Sequence, residues 1–335
     1  MRFHLTSEQV AIQDAVRGTL GECWGMEQLH GFADGEADFD ADSWQALMAL
    51  GIGGLALPEA DGGAGLGLLD AALVCEVAGA AAAPGPLIGQ IVGAIAVSAC
   101  ANAATRELLP AIASGESVVT LALSGNLVQA ARAADYFLAD DGAGGLHLIE
   151  AGQGVTIEAV IATDRSRPVS RVTFDTVKAH PLFAAGDPMV QRLNDAALVL
   201  IAADALGGAQ HCTDLSVDYA KTREQFGKAI AKFQAVKHQL AQMALEVEPS
   251  RALVWYAAYA WDADLPDCTR AAAMAKAHLC EVYTRTTRAA IVVHGGIGYT
   301  WEHGLNYWFR RSIQNRAWLG SPAQNRARAA KLAGW

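Results

Sequence analysis

The 335-residue sequence predicts a mainly α-helical protein with one small β domain in its middle. Three observations carry that expectation. Hydrophobic residues make up 52% of the chain and aromatic ones only 7%, an Ala- and Leu-rich balance that favours helix over sheet. Apolar positions recur at helical spacing through both ends of the chain. Between those ends, after Gly115, short runs with β-branched residues are punctuated by Gly and Asp. A charged fraction of only 18% excludes a disordered chain, and the length suits two or three units sharing a sizeable core.

Taken in order, Thr6 followed by Gln9 is a capping-box pattern, and Ile12, Ala15, Val16 and Leu20 then line one helix face. Further helices are expected at 42–50, 69–82, 87–102 and 104–113, separated by the glycine-rich loop at 58–67 and by Pro84-Gly85-Pro86. Residues 1–115 therefore read as one N-terminal helical domain. Strands are expected over Val118–Leu123, Tyr136–Leu138, Leu146–Ile149, Val155–Ile157 and Val169–Val177, giving a middle β domain over 116–183. Helical spacing returns at 187–220, 233–262, 267–293 and 302–313, with a last segment after Pro322, so 184–335 reads as a C-terminal helical bundle. There is no internal repeat.

The formal charge of −10, with no Lys/Arg run, argues against nucleic acid as a partner, because phosphate binding needs clustered cations. The six cysteines show no C-x-x-C spacing and lie mostly in apolar helical stretches, as expected of reduced thiols in a cytoplasmic protein. The start, MRFHLTSEQ, lacks the basic head and apolar run of a secretory signal. From Ala78 to Thr105 there is no charge, but Pro84, Pro86, Gln90, Ser98 and Asn102 interrupt the stretch, so a buried helix is expected rather than a membrane span.

Gly62, Gly63, Gly65 and Gly67 do not have G-x-G-x-x-G spacing and no βαβ unit leads into them, so they predict no dinucleotide fold. His294 and His303 lack a carboxylate motif for a zinc helix, and no metal site is expected. Two clusters are more informative. Residues 219–234 end a long helix with Arg223, Gln225 and Phe226 before Gly227, and Gln234 opens the next helix. Such a loop offers a diphosphate a bidentate cation, an amide and a wall for a flat ring. The same pattern equally describes a surface Arg placed at a helix C-terminus by the macrodipole. Residues 292–303 set Gly295 and Gly296 after a long helix, either for close backbone approach to a ligand or as a glycine cap and turn.

Together with the domain order, these clusters resemble the acyl-CoA dehydrogenase family of flavoproteins over nearly the whole chain. The likeness is carried by LALPEADGGAGLG and LLPAIASGE in the first unit, REQFGKAI with Phe233-Gln234, and HGGIGYTWE in the last. The resemblance implies a helical N-terminal domain, a middle barrel-like β domain and a C-terminal four-helix bundle assembling as a dimer of dimers. It also implies FAD shared across a subunit interface, with one subunit holding the isoalloxazine and its neighbour's bundle holding the diphosphate and adenosine end. By that likeness Arg223, Gln225, Phe226, Ile230, Phe233, Gln234, Gly295 and Gly296 are the donated half. Val292 stands where the family usually has a Gln, which puts a side-chain contact there in question.

In the family a glutamate removes the acyl α-proton while a hydride passes to the flavin. Its usual place, near the C-terminus, holds Leu319 here, and the alternative place on the long helix holds Ala197. No catalytic residue is therefore assigned. Asp204 is two turns, about 10 Å, beyond Ala197, and reads as a buried, paired carboxylate more readily than as a substitute base. Asp195 lies on the same helix, and Glu302 is expected in the first turn of the helix near 302. The family's Thr-Glu-Pro and Gly-Ser-Asp flavin loop is not recognisable at Ser124-Gly125-Asn126. The half of the flavin site that a subunit builds for itself thus reads as eroded, and the half it donates as preserved. That asymmetry resembles the smaller, non-catalytic chain of α2β2 steroid-type acyl-CoA dehydrogenases. It implies a homologous full-length partner that binds a bulky acyl-CoA, and an electron-transfer flavoprotein or similar acceptor. The rivals are a homotetrameric dehydrogenase with an atypical base and a flavin-free assembly scaffold.

Overall fold

The computed structural model describes residues 4–123 and 125–335. The helices are α1 (Ser7–Cys23), α2 (Met26–Asp34), α3 (Ala41–Ala49), α4 (Leu68–Ala80), α5 (Leu87–Ala99), α6 (Ala103–Arg106) and α7 (Leu109–Ala113). After the strands come α8 (Pro188–Thr222), α9 (Gln234–Asp262), α10 (Cys268–His294), α11 (Leu305–Ala317) and α12 (Pro322–Leu332). The mainly helical architecture with a small β unit is as the composition and periodicity indicate. The Thr6–Gln9 capping box forms, Thr6 Oγ1 accepting the Gln9 N–H at 3.2 Å.

The strands are β1 (Val119–Ala122), β2 (Leu127–Gln129), β3 (Tyr136–Asp140), β4 (Leu146–Glu150), β5 (Val155–Ala159), β6 (Val169–Phe174) and β7 (Ala179–Phe183). They make a four-stranded sheet of order β1-β3-β4-β7, with β1 parallel to β3, and an antiparallel sheet of order β2-β6-β5. Val128, Phe137, Ile149 and Val172 form a small core of their own between them. The three-residue β2 and the Pro-containing β7 escape sequence patterning. Pro181 is tolerated because β7 is an edge strand. α2 is likewise unannounced, and the segment expected at 104–113 splits into α6 and α7, with Pro110 in the first turn of the second.

The principal core lies where α8, the longest helix, passes α4, α5, α9 and α10. α4 and α8 cross at two glycines: a Cβ on Gly79 would stand 2.2 Å from the Asp204 carbonyl oxygen, and one on Gly207 1.8 Å from that of Glu76. The uncharged stretch near residue 90 is a buried helix of 13 residues, α5, too short to span a bilayer. The one described helix long and apolar enough to do so is α8, and 89% of its most apolar window is buried within the chain. All six cysteines are free thiols.

Candidate functional site: two loops at one end of the bundle

The first loop begins where α8 stops. Arg223 leaves the helix with its N–H still donating to the Tyr219 carbonyl at 2.8 Å, and its carbonyl accepts the Ile230 N–H at 2.8 Å. Between them β8 (Glu224–Gln225) and β9 (Lys228–Ala229) form a two-residue hairpin. Its tip, Phe226 and Gly227, has φ of +53° and +75°, the double left-handed geometry of a tight hairpin turn. Glycine accepts that conformation freely; phenylalanine is strained in it, and the Phe226 side chain is 91% exposed. Arg223, Gln225 and Gln234 are exposed, Ile230 and Phe233 half-buried. Phe233 meets Phe226 edge-on at 6.1 Å and carries the Lys228 ammonium 4.5 Å from its centroid. Among the described residues the Arg223 guanidinium and the Gln225 amide make no hydrogen bond or ion pair within the chain.

The second loop begins where α10 stops. Gly295 has φ +65° and ψ −140°, a conformation that a Cβ disfavours, and a Cβ at Gly295 or Gly296 would meet nothing within 4 Å. The glycines are there for backbone shape and access rather than for packing. Val292, Ile297 and Tyr299 are exposed around them. The two loops share one end of the bundle, because Tyr219, four residues before Arg223, stacks on His294 with centroids 4.4 Å apart. The structure thus brings together the two clusters singled out in the sequence. Exposed guanidinium and amide donors beside aromatic rings, with a glycine turn open to close approach, suit a diphosphate joined to flat rings, so this donor set fits FAD.

The two positions at which the resemblance leads one to expect a base are different. Ala197 is fully buried on α8. Leu319 lies in the turn between α11 and α12, 9% exposed, with φ +51°. Asp204 is surrounded by cations: Arg167 and Arg311 donate to its Oδ2, the latter at 2.6 Å, and Asn315 Nδ2 donates to Oδ1 at 2.6 Å. Burial alone would raise its pKa, but the Arg167 and Arg311 charges outweigh burial and hold it at about 2. Such a carboxylate is a poor proton acceptor, and only about 10 Å³ of cavity remains beside it. Asp195 is also engaged, accepting from Thr269 at 2.7 Å and Arg328 at 2.8 Å. Glu302 sits in a turn before α11, which starts only at Leu305 because Gly304 takes the left-handed cap conformation. A cleft of about 520 Å³ between β2, β6 and α11 offers Gln129, Arg171 and Gln314, with no carboxylate in its lining. β1 and β2 are joined by residues 123–126; Ser124 lies outside the described residues. The glycines at 62–67 lead into α4, whose first N–H groups, at Leu68 and Leu69, are taken by the Asp262 carboxylate at 2.6 and 3.1 Å. That helix end cradles no phosphate.

Residues 6–116 match the N-terminal domain of acyl-CoA dehydrogenases and residues 189–333 their C-terminal domain. The acyl-CoA dehydrogenase IpdE2 of Mycolicibacterium smegmatis is 30% identical over 96% of this chain and 97% of its own length. The chain belongs to the acyl-CoA dehydrogenase family. Another relative in the family, FadE34 of Mycobacterium tuberculosis, is 32% identical over 94% of this chain and 46% of its own. Among solved acyl-CoA dehydrogenases, a variant of the Tcur3481-Tcur3483 steroid enzyme superposes with a TM-score of 0.89 at 28% identity, covering 98% of both chains. The ChsE4-ChsE5 complex from Mycobacterium tuberculosis shares the fold, with a TM-score of 0.90 at 24% identity over 100% of this chain and 99% of the other. Within this family member, sequence reasoning missed Arg167 and Arg311, the cations that occupy Asp204. They are 37 and 107 residues from it along the chain, and no local pattern links them.

Proposed function

We propose that this chain is the non-catalytic subunit of a heteromeric acyl-CoA dehydrogenase and completes the FAD site of a full-length catalytic partner. The observation that carries the reading is the contrast between an open, unpartnered Arg223 hairpin with its Gly295–Gly296 turn and base positions that are apolar or already satisfied. In this reading Arg223 and Gln225 hold the diphosphate, the glycine turn lets the backbone come close to it, and Phe226 and Phe233 wall a ring. Bound FAD would accept the hydride in the partner's site, where the partner also supplies the base and binds the acyl-CoA. The likeness to the Tcur3481-Tcur3483 steroid enzyme supports a bulky acyl-CoA as the substrate. Free thiols throughout suit a reducing cytoplasm, and an electron-transfer flavoprotein or a similar acceptor would reoxidise the complex. A homotetramer using Asp204 as base is disfavoured by the two guanidiniums on that carboxylate. A scaffold without flavin leaves the exposed Arg223 and Gln225 without a purpose.

The test is to produce the chain alone and together with a full-length homologue from the same source, and to compare flavin content and oligomer size. FAD should accompany only the mixed oligomer. A yellow, active homo-oligomer of this chain would refute the proposal.

A further inference from the structure

A ring stack joins the two loops. Tyr219 in the last turn of α8 and His294 at the end of α10 lie face to face, centroids 4.4 Å apart and planes within 25°. The Tyr219 carbonyl accepts the Arg223 N–H, so the ring sits one turn before the cation leaves the helix. His294 immediately precedes Gly295, where the backbone takes its glycine-only turn. His303 closes the group from the turn before α11, edge-on at 4.7 Å to His294 and 6.5 Å to Tyr219.

The rings are suited to packing rather than to charge. His294 Nδ1 donates to the Ala290 carbonyl at 2.8 Å, a tautomer assigned from that partner, which leaves Nε2 as a bare acceptor. Desolvation pushes both imidazoles below their ordinary pKa, and for His294 the neighbouring His303 adds to it. Neither His294 Nε2 nor His303 Nδ1 has a hydrogen-bond partner among the described residues. The contact that these rings make between α8 and α10 is therefore aromatic packing, not hydrogen bonding.

We propose that Tyr219 and His294 are positioning residues, which fix the Arg223 hairpin and the Gly295–Gly296 turn relative to each other so that both reach one diphosphate. This inference rests on the reading that this end of the bundle completes a partner's FAD site. The guanidinium and the glycine turn come from chain segments some 70 residues apart, and bidentate contacts tolerate only small errors in placement. A stack formed during folding orders both segments before the ligand arrives, which lessens the entropy lost on binding.

The test uses the full chain in complex with its co-produced partner. Tyr219→Leu keeps apolar bulk and removes the ring; it should weaken FAD binding about two- to tenfold, the worth of an aromatic pair. Tyr219→Phe keeps the ring and should bind as wild type. Oligomer size and the melting temperature of the flavin-free complex should change little in either. A lowered melting temperature with unchanged FAD affinity would show a structural role only and overturn the proposal. Arg223→Ala separates the two ideas. If it weakens FAD binding while Tyr219→Leu does not, the positioning role alone falls; if neither has an effect, the cofactor reading falls and takes the positioning role with it. In the full chain without partner, Tyr219→Leu should accelerate amide hydrogen exchange in both 223–230 and 295–299. Acceleration confined to one segment would overturn the coupling.

Discussion

Arg311 on α11 donates Nη2–H to Asp204 Oδ2 on α8 at 2.6 Å, and the two side chains are only 1% and 2% exposed. Arg167, from the segment before β6, reaches the same carboxylate oxygen, and its Nη1 donates to Asn315 Oδ1 at 2.6 Å. This cluster pins the β unit, α8 and α11 to one another. Removing one member of a buried ion group strands its partners, which costs about 3–5 kcal/mol. Asp204→Asn should therefore lower the unfolding free energy by about that amount in urea titrations at pH 7. A change below about 1 kcal/mol would mean that the cluster is solvated. Because Asp204 is held at about 2 in the folded chain, its stabilisation persists above the unfolded carboxylate value and is lost only as pH falls toward 2.

Leu319→Glu should not create a dehydrogenase in the isolated chain. A carboxylate at that turn supplies a base without the platform for a flavin ring, and positioning matters as much as basicity. Anaerobic bleaching of added FAD by acyl-CoA substrates is the measurement, and turnover in this single variant would show that the chain's own flavin half is intact. Ala197→Glu should also fail, with loss of folding, since it puts a charge at a site with 0% exposure.

Arg223→Ala should weaken FAD binding by the complex about ten- to hundredfold, because a hydrogen bond to a charged group contributes about 1.5–3 kcal/mol. Arg223→Lys should recover part, since an ammonium keeps the charge and loses the bidentate fork. Fluorescence titration of FAD into the apo-complexes measures both. Equal affinities would return Arg223 to the role of a surface cation at a helix end.

His211 lies on α8 stacked on Trp308, centroids 4.2 Å apart, and desolvation depresses its pKa to about 4. The unfolded chain takes up a proton near pH 6.5 that the folded chain refuses until about pH 4. Its contribution is thus fully present above pH 6.5 and is lost as pH falls to about 4, at up to about 1.4 kcal/mol per pH unit. His211→Phe keeps the stack and removes the proton site. Urea midpoints from pH 7 to 4 should fall more steeply for the wild type than for this variant. Parallel curves would place His211 in water.

The alternation of helical and β-branched patterning already specified helices, strands, helices, because each long helix writes its buried face into local spacing. The candidate site was equally local. Arg223-Glu-Gln-Phe-Gly and His294-Gly-Gly are contiguous runs whose donors, rings and glycines lie within a few residues of one another, so the sequence alone displayed them. It also displayed the apolar residues at 197 and 319. What it did not contain was which distant groups meet. The cations on Asp204, the Asp262 carboxylate on the α4 N-terminus and the Tyr219–His294 stack all join residues 37 to 194 positions apart. Partners at such separations are chosen by how α4 and α8 cross through Gly79 and Gly207 and by how the bundle closes. Those close approaches depend on three-dimensional packing, which leaves no period in the chain to read.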